Sequence, residues 1–187
     1  ACAAYTLCET TAPIGYEQFD LQTRVDCILT LDPLGNSVTF YRSLADANNN
    51  VNPITNLLYV NQQQHVQTLG IRVTDSTTGC YVVSTMDIRV EPLPVPVAPL
   101  TPYAVCDTDQ NGWFEFDLNT LSAGILGANP TNNTISYHET QPDANIGQYP
   151  IDLTQLYQNL IPYLQTIWVR VENPLTGCYG VIPIQLR

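Results

Sequence analysis

The chain has 187 residues and a formal net charge of -11, with 17 acidic residues against six basic ones, all six arginine. Nothing in it supplies the clustered positive charge that binding to nucleic acid requires, and no apolar run approaches the roughly 20 residues of a membrane-spanning helix. Only 12% of residues are charged while 44% are hydrophobic. Frequent Tyr, Thr, Val and Pro favour strands and turns over helices. The predicted elements begin with Tyr5 to Cys8, followed by Phe19-Asp20-Leu21. Ser37 to Tyr41 alternates with period two, and Leu69 to Val73 runs through a Thr-Gly turn into Cys80 to Val90, a hairpin.

The same order then returns. Tyr103 to Cys106 repeats Tyr5 to Cys8 at an offset of 98, and Phe116-Asp117-Leu118 repeats Phe19-Asp20-Leu21 at 97. Asp143-Ala144-Asn145 repeats Asp46-Ala47-Asn48, and Thr176-Gly177-Cys178-Tyr179 repeats Thr78-Gly79-Cys80-Tyr81. One unit is therefore written twice. Thr134 to His138 and Ile167 to Val171 are strands of the second copy. Asp117 to Ile125 places apolar residues at helical spacing and predicts a short helical turn packed on the sheet. About seven short strands per copy must close on themselves, so the expected fold is all-β: two tandem immunoglobulin-like β-sandwich domains, at 1–91 and 103–187. Between them, residues 92–102 carry five prolines, which predicts a stiff, extended polyproline spacer.

The six cysteines are read through the repeat. Cys8 and Cys80 are 72 residues apart, as are Cys106 and Cys178. Equal spacing at equivalent positions predicts one bridge within each copy, leaving Cys2 to pair with Cys27. Six paired cysteines imply an oxidising compartment. With no CxxC and only His65 and His138, a structural zinc site is not expected.

Asp107-Thr108-Asp109-Gln110-Asn111-Gly112 places oxygen side chains at positions 1, 3 and 5 and Gly at 6, the first half of a Ca²⁺ loop. Position 12 is Leu118 rather than a bidentate Glu, so this is no EF-hand. The expected ligands are Asp107, Asp109, Asn111, the carbonyl of Trp113, and Asp117, with Asp143 either a further ligand or a cap. A solvated Asx turn is the competing reading. The first copy has Glu9 to Gly15 here and has lost those ligands. Asp20 persists in it, which points to helix capping for that residue.

No catalytic set emerges. The two histidines lie in unrelated contexts, no GxSxG occurs, and no acidic pair recurs without a calcium or capping explanation, so the expectation is that this is not an enzyme. Trp113, Tyr149, Tyr157 and Tyr163 are candidates for a sugar-stacking surface, with core packing as the alternative.

The series Cys-Asp-x-Asp-x-Asn-Gly at 106–112, Phe-Asp-Leu at 116–118, Tyr-His-Glu-Thr-Gln-x-Asp-Ala-Asn at 137–145, Val-Arg-Val-Glu-Asn at 169–173 and Thr-Gly-Cys-Tyr at 176–179 resembles the roughly 90-residue tandem repeats of very large secreted surface proteins of Bacteroidota. Those include gliding-motility and adhesion proteins exported by type IX secretion. The resemblance implies a structural and adhesive stalk segment at the cell surface. Its partners would be neighbouring repeats of the same polypeptide and surface polysaccharide or other adhesins. Asp75-Ser76-Thr77 matches an O-glycosylation motif of that phylum. The alternative is a carbohydrate-binding accessory module of a secreted hydrolase.

Overall fold

The computed structural model describes residues 3–10, 13–30 and 35–187. The chain forms two compact units, 1–92 and 93–187, and both are built mainly of β-strands. In the first, β1 (Tyr5–Cys8), β6 (Tyr81–Glu91), β5 (Val66–Asp75) and β3 (Asn36–Tyr41) form one sheet in that order. A two-stranded ribbon of β2 (Gln18–Asp20) and β4 (Leu58–Val60) forms the facing layer. In the second unit, β11 (Tyr179–Leu186), β10 (Gln165–Glu172) and β8 (Thr134–His138) form the sheet, and β7 (Glu115–Phe116) pairs with β9 (Tyr157–Gln158).

The first strand of each copy has a consequence for function. β1 lies parallel to β6, with Tyr5 opposite Ile88 and Cys8 opposite Glu91. Tyr103 repeats this as a parallel bridge to Leu186. Neighbours so far apart in sequence bring the start of each copy to the exit end of its last strand.

Each core lies between sheet and ribbon because alternate residues of each strand point inward. Leu69 and Ile71 of β5 meet Met86, Ile88 and Val90 of β6 beneath Phe19 and Tyr59 of the ribbon. Ile167, Val169 and Val171 of β10 do the same beneath Phe116 and Tyr157, with Ile125 of the following helix added. That helix, α3 (Asn119–Leu126), is the helical turn the sequence predicts, and α1 (Gln22–Ile28) is its counterpart.

Two further helices, α2 (Leu44–Asn49) and α4 (Gln141–Ile146), cover the Asp-Ala-Asn segments. The backbone N–H of Asp46 donates to Ser43 Oγ, and the hydroxyl of Ser43 donates back to the Asp46 carboxylate at 2.7 Å. Thr140 and Asp143 repeat the pair. Each aspartate thus stands at the first turn of its helix, bonded both ways to the N-cap hydroxyl.

The Pro-rich segment differs from expectation. Residues 93–102 belong to the second unit and lie along it. Val97 N–H donates to the Ile125 carbonyl, and Val95 exchanges two hydrogen bonds with the Asn129 side chain. Gly180 makes room for them: a Cβ there would sit 2.4 Å from the Pro94 carbonyl oxygen. Proline removes donors but leaves carbonyls and apolar rings free to pack, so a stretch with no ladder of its own is held by its neighbours. No helix among the described residues is long and apolar enough to cross a membrane.

Candidate functional site

Each unit carries one cysteine at either end of its sheet. Cys8 faces Glu91 where β6 ends, whereas Cys80 precedes Tyr81 where β6 begins. Eleven residues of strand lie between those ends, roughly 35 Å at about 3.3 Å per residue. A disulfide spans Cα atoms about 4.4–6.8 Å apart. The second unit repeats the geometry. Val105 N–H donates to the carbonyl of Arg187, which places Cys106 at the exit end of β11, and Cys178 precedes its entry end. The pairings Cys8–Cys80 and Cys106–Cys178 predicted from equal spacing are therefore not formed. Cys8 and Cys178 are both disulfide-bonded, while Cys80 and Cys106 are free and exposed. Equal spacing identifies equivalent positions, but not their distance in space. Cys27, in α1, is disulfide-bonded as well; Cys2 lies outside the described residues.

The loop after Cys106 closes on itself. The Asp107 carboxylate accepts from Gly112 N–H at 2.7 Å and from Gln110 N–H at 2.9 Å. The Gly112 hydrogen bond is the main cause that holds its carboxyl below the ordinary value of 3.8. Asn111 donates to Asp109 and accepts from Trp113 N–H at 2.7 Å. Gly112 has φ +79°, and a Cβ would come within 2.8 Å of Pro162, so both the turn and the close approach require glycine.

The other expected ligands are engaged in separate roles. The Asp117 carboxylate accepts from Asn119 N–H at 3.1 Å at the start of α3, and Asp143 belongs to the α4 cap. Among the described residues, no group of three or more His, Cys, Asp or Glu side chains is placed to hold a metal ion. Asp107, Asp109 and Glu115 do line one cleft of about 450 Å³.

A residue that sequence reasoning passed over secures this loop. Asn159 is buried, and its side-chain nitrogen donates to the carbonyls of Gly112 and Ile161 while its oxygen accepts from Phe114 N–H. Asn61 makes the matching bonds to Gly15, Gln63 and Glu17. Both stand two positions after a buried strand tyrosine, Tyr59 or Tyr157, at an offset of 98, and that recurrence was the available signal.

The histidines and aromatics divide by environment. His138 is fully buried, bonded to Ser136 and to the Gln148 carbonyl oxygen. Tyr157 is a core residue, hydrogen-bonded by Gln165. Tyr149 is exposed. Trp113 and Tyr163 are both exposed at the loop end, where Tyr163 donates its hydroxyl to the Gln110 carbonyl at 3.0 Å.

Residues 4–94 and 102–187 each match the profile of a family described as the Flavobacterium inter-domain disulphide bond domain. No curated protein matches the chain. Among solved structures, the chain is similar to a crystal structure of Drosophila N-cadherin EC1-4, at 14% identity and a TM-score of 0.24. The match covers 81% of this chain and 40% of that one.

Proposed function

The chain belongs to the Flavobacterium inter-domain disulphide bond domain family, and from that premise we propose that it is a structural and adhesive repeat segment of a large secreted cell-surface protein. In this reading, successive copies are clamped to one another by disulfides between domains. The observation that carries it is the state of the four equivalent cysteines: Cys8 and Cys178 are bonded, and their counterparts Cys106 and Cys80 are free. Cysteines at opposite ends of a unit serve a bond that leaves the unit. We assign the partner of Cys8 as Cys178. The chain-entropy model gives a bridge closing so long a loop roughly 5 kcal/mol of stabilisation. Under tension, the loop it closes cannot lengthen, which suits a stalk exposed to drag.

Peptide mapping without reduction tests the assignment. A Cys8–Cys178 cross-linked peptide is expected, with Cys80 and Cys106 open to alkylation before unfolding. Recovery of Cys8 joined to Cys27 would overturn it.

Adhesion or gliding at the cell surface, export by type IX secretion and the lack of catalysis belong to the same proposal, supported by the sequence resemblance. The alternative, a carbohydrate-binding accessory module of a secreted hydrolase, is supported by Trp113 and Tyr163, exposed at one end of the second unit. Selective, tight binding on a glycan array would favour it.

Ca²⁺ at the Asp-rich loop is a separable part of the proposal. Its support is the 107/109/111 spacing and the cleft lined by Asp107, Asp109 and Glu115. Each Asp107 oxygen accepts one N–H, from Gln110 or Gly112, and keeps a further lone pair for an ion. A rise in melting temperature of the second unit at millimolar Ca²⁺, lost in Asp109→Asn, is the expected sign. No rise would leave the loop a self-closed turn.

A further inference from the structure

The last strand of each unit has an outer edge, and the two copies treat it differently. In the first unit, Asp75 N–H donates to the Cys80 carbonyl and Val90 N–H to that of His65. Even-numbered residues of β6 therefore turn their backbone groups towards β5, and odd-numbered residues turn theirs outward. β1 takes up one part of that edge. Its ladder runs from Ile88 to Glu91, and Glu9 N–H continues it to the Glu91 carbonyl. Among the described residues, no backbone group bonds to the outward N–H and C=O groups of Tyr81, Val83 and Thr85.

The second unit protects the same edge twice. Odd-numbered residues of β11 face outward as well, since Gln185 and Arg187 bond to Tyr103 and Val105. At the position of Thr85 stands Pro183, whose nitrogen has no hydrogen to offer. Proline is tolerated in a sheet where its nitrogen faces outward from an edge. The Pro segment then packs over Gly180. The first unit has neither device. No charged residue occurs from Cys80 to Met86. Tyr81 and Val82 are 50% and 68% exposed, and Ser84 and Thr85 are exposed too. An uncharged run of strand-forming residues with unpaired backbone groups is a template for a further strand.

We propose that this stretch of β6 pairs edge to edge with the same stretch of a second copy of this chain, antiparallel about a two-fold axis at Val83. A two-fold contact sets one surface against itself. Centring it on Val83 brings every outward residue opposite another: Val83 meets Val83, and Tyr81 meets Thr85. Each then exchanges both of its backbone bonds, as in any antiparallel ladder. The lack of charge is what fits the edge to itself, because a charge near the axis would face its own like across the pair. The nearest charge is Asp87, which is already engaged by Arg89 and by the Thr68 hydroxyl. It falls opposite Gly79 of the second copy. The sheets of the two first units thereby become one.

The test uses the whole chain carrying Cys80→Ser and Cys106→Ser, so that no disulfide between copies imitates the contact. Sedimentation equilibrium is run from about 1 μM to about 1 mM, the range in which a small interface associates. The mass should rise from monomer towards dimer and no further. Thr85→Pro, which installs the second unit's residue, removes an outward donor and leaves the bonds to β5 in place. Its melting temperature should stay close to the parent's, while the dimer Kd rises at least about tenfold, the factor that 1.4 kcal/mol represents. Amide exchange in the parent gives a second reading that needs no variant. Exchange at Tyr81, Val83 and Thr85 should slow as concentration rises, while Val82 and Ser84, bonded to β5, stay unchanged. A monomer at every concentration overturns the proposal and leaves the edge to a different polypeptide. A dimer untouched by Thr85→Pro, or exchange at Val83 indifferent to concentration, overturns it as well.

Discussion

The side-chain nitrogen of Asn159 donates to the carbonyl oxygen of Gly112 at 2.7 Å, joining two loops 47 residues apart in sequence. The same Asn accepts from Phe114 N–H at 2.7 Å and donates to the Ile161 carbonyl at 2.8 Å. It thereby stands in for a short piece of sheet where the chain has none. Asn159→Ala leaves the buried Gly112 carbonyl without this partner, at a cost of about 1–3 kcal/mol, and removes the part-buried bonds to Phe114 and Ile161 as well. Both tryptophans, Trp113 and Trp168, lie in the second unit, so their fluorescence reports that unit alone. The denaturation midpoint by fluorescence should fall in Asn159→Ala and stay unchanged in Asn61→Ala.

Arg170 is the second residue on which that unit leans. Its guanidinium donates through Nη1 to the carbonyls of Ala144 and Asn145 at the end of α4 and through Nε to Glu172. It also stacks 3.5 Å over the ring of Tyr179. Arg72 and Tyr81 repeat the stack in the first unit. An ammonium lacks both the planar fork and the flat face, so Arg170→Lys is not a conservative change. We expect a loss of about 1–3 kcal/mol, as for charged hydrogen bonds, read by the same fluorescence midpoint. A loss below a few tenths would mean that the stack is ornamental.

Much of the fold is visible in the sequence because it depends on local patterns. The alternation in Thr134 to His138, the Thr-Gly turns and the helical turn near Asp117 all record themselves in neighbouring residues. The repeat doubles each signal. The Asp143 cap is legible for the same reason, since Thr140 stands three residues before it. What fails is what needs a map of the strands. Cys8 and Cys80 look like partners until the parallel pairing of β1 with β6 puts them at opposite ends. The Pro segment looks like a spacer until Asn129 and Gly180 are seen to receive it. The four expected acidic metal ligands share a stretch of sequence, but Asp117 and Asp143 are used at two different helix starts.

Gly180 gives a direct test of that Pro segment. In the first unit the equivalent residue is Val82, 68% exposed. In the second, an added Cβ would lie 2.4 Å from the Pro94 carbonyl and 2.7 Å from Pro96. Gly180→Val must therefore push the segment off the sheet, and overpacking of this kind costs about 1–3 kcal/mol. Hydrogen exchange should show Val95 and Val97 N–H losing protection while the β10–β11 ladder keeps it. Unchanged protection at Val97 would mean that the segment is not held there.

Acid should weaken the protein through a definable set of carboxylates. Asp107 is held low chiefly by Gly112 N–H, Asp75 by Thr78 N–H, Asp87 by the Thr68 hydroxyl and Asp152 by the Thr154 hydroxyl. A carboxyl whose pKa is depressed by folding contributes stability that is fully present above its unfolded value. That contribution is lost as pH falls through the folded one. The ordinary value is 3.8 for all four, so the melting temperature should be flat above about pH 5 and fall below about pH 4. Asp107→Asn separates the loop from the rest. The amide keeps one acceptor oxygen for Gly112 N–H but carries no charge to lose. The variant should melt lower than the parent at neutral pH by fluorescence, and the gap should close as pH falls toward 2. A gap of constant size across that range would show that the ionised form of Asp107 does not close the loop.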